Sequence, residues 1–303
     1  MAIKSSNPVF TRLDGFNGKN TQGNPTYQGN GQGYAGYGSP STWSTGPGTA
    51  TQGGTGQSYD EPLTHTRDQG RMTIDSVVQK TGITLAVLVL AAAATWVMTG
   101  DITDQAALRT LYTLSIVGAL GGFALAMVNS FKKVVSPALV LAYAALEGVF
   151  IGAFSKTIQS MFGSDANGNG NGIVVGAVVG TIAAFAGTLA AYKFFDIKVG
   201  NRFRKWVTAA MFGFVGLVLL DFVLSLFHAS LGLNGFGGLG LLMSVVGLGL
   251  GVLMLILDFD FVERGVAAGL PEQESWRAAF GLTVTIVWIY IELLRILAIL
   301  RGN

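Results

Sequence analysis

The apolar positions of the chain form long runs from about residue 78 onward, separated by short polar stretches. Each run is close to the roughly 20 residues that an α-helix needs to cross the hydrocarbon core of a bilayer. The alternating strands that mark a membrane barrel are absent from the sequence. The last run is interrupted by Glu292 and Arg295, so a re-entrant hairpin is an alternative there. We predict an all-α, polytopic membrane bundle of seven transmembrane helices, near residues 78–99, 110–130, 136–160, 172–193, 206–228, 236–259 and 277–300.

Residues 1–76 have a different composition. They hold 14 of the 43 glycines and five of the seven prolines, with Gln, Asn, Ser, Thr and Tyr between them. Such a segment has too little apolar content to offset the entropy that ordering would cost. We therefore predict two parts, a disordered cytoplasmic tail at 1–76 and a seven-helix transmembrane domain at 77–303.

Composition narrows the class further. Only 12% of the residues are charged, which is about half the usual fraction for a soluble domain. The absence of cysteine excludes disulfides, a thiol nucleophile and thiolate metal sites. A net charge of +2 gives no argument for nucleic acid. The partner that the composition indicates is the lipid bilayer.

The loop charges predict the orientation. Cytoplasmic loops of membrane proteins carry an excess of Lys and Arg, and twelve cations fall on the side of the chain that holds the tail, with few on the other. We therefore expect a cytoplasmic N-terminus, and, because no organelle signal is evident, the plasma membrane of a bacterium. The twelve are Arg67, Arg71, Lys80, Lys132, Lys133, Lys193, Lys198, Arg202, Arg204, Lys205, Arg264 and Arg277.

Four carboxylates interrupt the apolar runs, where ionisable groups are costly and usually face a cavity or a partner. From the helix rise, Glu147, Asp221 and Glu292 form an outer tier, and Asp258 lies alone about 8 Å from the cytoplasm. Carboxylates with few counter-ions attract cations and protons, so we predict a cation path with titrating groups. Arg295, three residues after Glu292, is its expected ion-pair partner. For Glu147 and Asp221, a protonated carboxyl hydrogen-bonded within the bundle is the open alternative.

Three stretches carry a family resemblance: ALEGVFIGAFS in the third run, LILDFDFVERG at the end of the sixth and IYIELLRILAIL in the last. They resemble the Bax inhibitor-1/YccA family over roughly residues 76–300, with the tail outside. The resemblance implies seven helices with the last surrounded by the other six. It also implies a pH-sensitive calcium leak, gated by two acidic residues in the last two helices. Relatives are associated with suppression of cell death and with control of a membrane protease.

Residue by residue, Asp258 matches the sixth-span acid of that pair. Alignment on Leu293, Leu294 and Arg295 places the second acid at Thr285, which cannot titrate. We therefore expect Asp258 and Thr285 at the gate, with Asp258 as a candidate ligand for calcium. We expect no contact between Asp258 and Glu292.

Other functional classes agree less well with the sequence. The contexts of Asp221 and Asp258 are not those of intramembrane aspartyl proteases, and no phosphate-binding loop is present. We predict no enzyme activity and no cofactor, calcium entering only as a transported ion. Two functions remain open: a cation leak, and a non-conducting regulator that binds other membrane proteins such as a quality-control protease.

The orientation can be tested with single introduced cysteines, because the chain has none of its own. A cysteine at Ser164 should react with an impermeant thiol reagent added outside intact cells, and one at Asn201 should react only after lysis. The reverse labelling pattern would contradict the orientation.

Overall fold

The computed structural model describes residues 70–100, 102, 105–163, 172–195 and 197–302. Most of the predicted tail lies outside these residues. Residues 70–76, assigned to the tail from the sequence, belong to the edge of the bundle. Met72 is buried, and its backbone N–H donates to the carbonyl of Leu270 at 2.7 Å.

Seven helices are found within the described residues, each long and apolar enough to cross a membrane. They confirm the seven predicted spans, with ends that differ by up to eight residues. The last helix is continuous over 29 residues, so the re-entrant alternative is wrong. The helices are α1 (Ile74–Met98), α2 (Gln105–Phe131), α3 (Pro137–Phe162), α4 (Gly172–Phe194), α5 (Asn201–Leu226), α6 (Gly238–Ala267) and α7 (Glu274–Gly302).

Helix α7 lies at the centre and is the most deeply buried of the seven. Helices α1, α3, α4 and α6 pack directly against it, whereas α2 packs on α3 and α5 packs on α6. The central position agrees with the prediction, but four helices rather than six line α7. The outlying α5 reaches it through one side chain, since the rings of Phe214 and Trp288 meet with centroids 5.4 Å apart.

Glycines set the closest helix contacts. A Cβ atom on Gly148 would lie 2.3 Å from the carbonyl oxygen of Leu88, and one on Gly152 would lie 2.5 Å from that of Ala92. Helices α1 and α3 therefore touch backbone to backbone, as small residues allow in membranes. On α4, Gly176 and Gly180 leave room for side chains of α7, since Leu297 lies against the first and Leu293 against the second.

The two ends of the bundle differ in charge. We call the end where α1, α3, α5 and α7 begin the basic end. There Asp260 is buried between Arg264, at 2.8 Å, and Arg204 on α5, at 2.7 Å. The pair with Arg264 lies within α6 at i, i+4 spacing, and the pair with Arg204 joins α6 to α5.

At the opposite end of the bundle, a buried lysine from α3 caps the C-terminal end of α1. The Lys156 ammonium donates to the carbonyls of Trp96, at 2.8 Å, and Gly100, and to the Thr99 hydroxyl at 3.0 Å. The last carbonyls of a helix have no partner within the helix. Lys156 therefore supplies hydrogen bonds and a charge of the favourable sign at the negative end of the helix dipole.

Gly148→Ala tests the backbone contact between α1 and α3. The added methyl has no room, so we expect a loss of about 1–3 kcal/mol of stability, the usual cost of overpacking. The melting temperature in detergent measures it. Gly187→Ala on α4 is the matched control, because nothing lies within 4 Å of its Cβ position; equal melting temperatures for both variants would contradict the contact.

Candidate functional site

Asp258 and Thr285 meet where α6 crosses α7. The Thr285 hydroxyl donates to Asp258 Oδ2 at 2.6 Å, and the other carboxylate oxygen, Oδ1, lies 3.6 Å from the Cβ position of Gly281. The alignment on the end of the last helix therefore placed the two residues correctly opposite each other. Helix α6 continues to Ala267, which puts Asp258 about 14 Å from the helix end. The sequence-based count of about 8 Å assumed an earlier end of this helix, so the count from the observed end is longer.

A pocket of about 320 Å³ joins Asp258 to the basic end. Asn129 is its notable member, since this side chain is only 2% exposed. Its amide donates to the carbonyl of Leu139 at 3.3 Å, but its Oδ1 atom is buried without a hydrogen-bond partner. Buried polar atoms are nearly always paired, so an orphaned acceptor calls for an explanation. The pocket is lined by Asn129, Ser130, Asp258, Phe261, Arg277, Ala278, Phe280 and Gly281.

Arg277 brings a positive charge to the same pocket. Its guanidinium donates to the carbonyl of Lys133 at 2.7 Å and forms an ion pair with Glu274 at 3.1 Å. The start of α7 is thereby tied to the connection between α2 and α3. The sequence analysis counted Arg277 only as a basic loop residue and missed Asn129, because nothing in their local spacing marks either as a neighbour of Asp258.

Glu292 and Arg295 form the predicted ion pair. Their side chains are both buried, with Arg295 Nη1 3.4 Å from Glu292 Oε2. Glu292 lies against Gly247 of α6, and Arg295 also donates to the carbonyl of Leu233. Gly247 and Asp258 are eleven residues apart on α6, a distance of about 16 Å along the helix. Asp258 and Glu292 are therefore separate sites, as expected.

Asp221 holds the connection between α5 and α6. It is 2% exposed, and its two carboxylate oxygens accept backbone N–H groups of Leu231, at 2.6 Å, and Asn234, at 2.8 Å. The Asn234 side chain returns a bond to the carbonyl of Val218. The open alternative from the sequence, a protonated carboxyl bonded within the bundle, differs from this arrangement, in which both oxygens accept backbone N–H groups of the connection.

Glu147 lies between α3 and α2. Its Oε2 atom occupies the space that a side chain on Gly122 would fill, 2.6 Å from the Cβ position. Glu147, Asp221 and Glu292, which the sequence placed in one outer tier, each face a different neighbouring element. Among the described residues, no three acidic, histidine or cysteine side chains converge on one point that could hold a metal ion.

Comparison with known proteins identifies the family of this chain. The sequence model of one family, described as Bax inhibitor 1 like, matches residues 7–302. The chain belongs to the Bax inhibitor 1-like family. The match begins at residue 7, so the expectation that the long tail lies outside the resemblance is wrong. A search of curated proteins found no match.

Family membership and the seven apolar helices together make this Bax inhibitor 1-like chain a multi-pass membrane protein. Its sixth and seventh helices meet through a carboxylate and a hydroxyl, where the resemblance implied two acids. One titratable group therefore stands at the crossing of α6 and α7.

Asp221→Asn tests whether this carboxylate is an anchor. The amide nitrogen of Asn cannot accept a backbone N–H, so one buried donor is left unpaired, at a cost of about 1–3 kcal/mol. We expect a lower melting temperature in detergent. The exposed Asp75→Asn is the control and should change it less. A loss of cation flux at an unchanged melting temperature would instead favour Asp221 as part of a cation path.

Proposed function

We propose that this Bax inhibitor 1-like protein is a pH-sensitive leak for cations, calcium among them, and that cations enter at the pocket beside Asp258. The supporting observation is the pairing of a carboxylate with the orphaned carbonyl oxygen of Asn129 in one pocket. Hard cations such as calcium prefer oxygen ligands of these two kinds. An entering calcium ion would keep water among its ligands, since the described residues offer only one carboxylate there.

The charge of Asp258 is the proposed gate. Ionised, the carboxylate accepts the Thr285 hydroxyl and attracts a cation; protonated, it no longer carries the charge that a cation needs inside a membrane. The side chains facing it from α2, Asn129 and Ser130, are neutral. Asp258 is the single titrating carboxylate among the described residues that line the pocket. The other ionisable group there is Arg277, which stays charged at every physiological pH.

Arg277 gives the closed state a physical basis. A guanidinium in the same pocket repels an entering cation and offers a counter-charge to Asp258 when no cation is bound. Its bonds to the connection between α2 and α3 couple its position to that connection. We propose that opening moves Arg277 away from the pocket, which also loosens the start of α7.

The basic end is proposed to face the cytoplasm. Support comes from the distribution of cations, since the excess of Lys and Arg at this end follows the positive-inside rule. The N-terminus is then cytoplasmic, and cations enter or leave the pocket on that side. A bacterial plasma membrane remains our proposal for the location.

A second function has an observation in its favour. The carboxyl of Asp258 is capped by a neighbouring hydroxyl, an arrangement that also suits a non-conducting bundle. The protein would then act as a regulator that binds other membrane proteins, such as a quality-control protease. In neither function do we propose catalysis.

Cation flux from reconstituted liposomes across a pH series distinguishes the two. We expect a single broad pH transition for the wild type. Asp258→Asn fixes an uncharged side chain, so it should remove the pH dependence whether or not basal flux survives. Thr285→Asp adds a second titrating group and should shift the transition.

Two further variants complete this experiment. Glu263→Gln changes an exposed carboxylate on the same helix and should leave the pH profile as in the wild type. Asn129→Leu removes a proposed cation ligand and should lower calcium flux while the pH transition stays. Wild-type flux of Asp258→Asn at every pH would contradict the leak and favour the regulator.

A further inference from the structure

A lateral groove separates α1 from α4. Both helices pack against α7, but they do not pack against each other. Between them lie two adjoining pockets, of about 380 and 290 Å³, which share Ala93, Trp96 and Val174. Each volume is near or within the range of roughly 300–1,000 Å³ that is typical of small-ligand sites.

The larger pocket of the groove is lined mainly by apolar side chains. Its floor is formed by Ile286, Val287 and Tyr290 of α7. The Tyr290 hydroxyl is bonded to that of Ser155 at 2.7 Å, so these two polar groups satisfy one another. A water molecule in the groove would find few hydrogen-bond partners, whereas a hydrocarbon chain needs none.

The rim of the groove is continuous with the surface that the bilayer covers. Val89 on α1 is 59% exposed, and Ile182 on α4 is 63% exposed. Both line the larger pocket. The groove therefore opens sideways, between exposed apolar side chains of two membrane-spanning helices, into the acyl-chain region.

The end of the groove farther from the basic end is polar. Gln159 lines the smaller pocket, and its Oε1 atom is buried without a hydrogen-bond partner. The guanidinium of Arg301, at the end of α7, lies against Gly172 at the start of α4. No described carboxylate pairs with Arg301. An anionic group placed one helical turn from Val175 of the groove wall would meet this charge.

We propose that the groove binds one phospholipid. One acyl chain lies between α1 and α4 on the floor of α7, the phosphate pairs with Arg301, and a headgroup ammonium or hydroxyl donates to Gln159. A helix of a partner protein is too wide for pockets of this volume. The proposal stands independently of the cation leak, because the groove and the pocket of Asp258 share no lining residue.

The test counts phospholipids on the full chain. The protein is purified in a mild detergent with added dioleoyl phosphatidylethanolamine and measured by native mass spectrometry. We expect one retained phospholipid per chain. Ala93→Phe and Val178→Phe fill the groove from opposite walls and should each lose most of it. Ala94→Phe and Val179→Phe are the matched controls, exposed neighbours outside the groove lining, and should retain it.

The phosphate contact is tested separately. Arg301→Gln should weaken retention of the phospholipid but not of dioleoylglycerol, which has the same chains without a phosphate. Arg109→Gln removes an exposed arginine from the same end of the bundle and should weaken neither. A melting temperature near the wild-type value establishes that each variant is folded.

Three outcomes would overturn the proposal. Filled and control variants could retain phospholipid equally, which places the lipid elsewhere. Arg301→Gln could lose both lipids equally, which removes the phosphate contact. The wild type could appear as a dimer that Ala93→Phe and Val178→Phe dissociate, which makes a second copy the occupant.

Discussion

Lipid offers no hydrogen-bond partner to a buried polar group, so such a group in a spanning helix is costly unless the protein itself provides a partner. This constraint explains how the helices are joined. Asp221 accepts hydrogen bonds from two backbone N–H groups of the α5–α6 connection, and Asp258 accepts one from the Thr285 hydroxyl of α7. Glu292 forms an ion pair with Arg295 on its own helix. The contacts of Asp221 and Asp258 join separate elements and so help to fix how those elements are aligned.

The polar contacts depend on close helix approach. Gly247 and Gly251 of α6 lie against side chains of α7, so the two helices come near enough for Thr285 to reach Asp258. Larger residues do not fit at these two positions, because a side chain at either glycine would meet neighbouring atoms at 3.0 Å or less. Asp258, Thr285 and the small residues beside them therefore form one unit, and a change in any of them alters the crossing of α6 and α7.

The sequence determined the spans well because length and apolarity are local properties, and it placed Thr285 opposite Asp258 because the end of the last helix supplied a register. It missed Asn129 and Arg277, which reach the pocket of Asp258 from α2 and from the first turn of α7. Their proximity is a product of tertiary packing and leaves no periodic signal. The count that placed Asp258 near the helix end was too short because α6 continues past its apolar stretch to Ala267.

The central position of α7 has a consequence for biosynthesis. Chains are made from the N-terminus, and α7 is the last of the seven helices to leave the ribosome. The six earlier helices are therefore made before α7, and four of them, α1, α3, α4 and α6, at first lack their central neighbour. Helices α1, α2 and α3 can associate at once through their own contacts, whereas α4 has few neighbours other than α7 and α6. A nascent chain halted before α7 thus holds an incomplete core that membrane quality control could recognise.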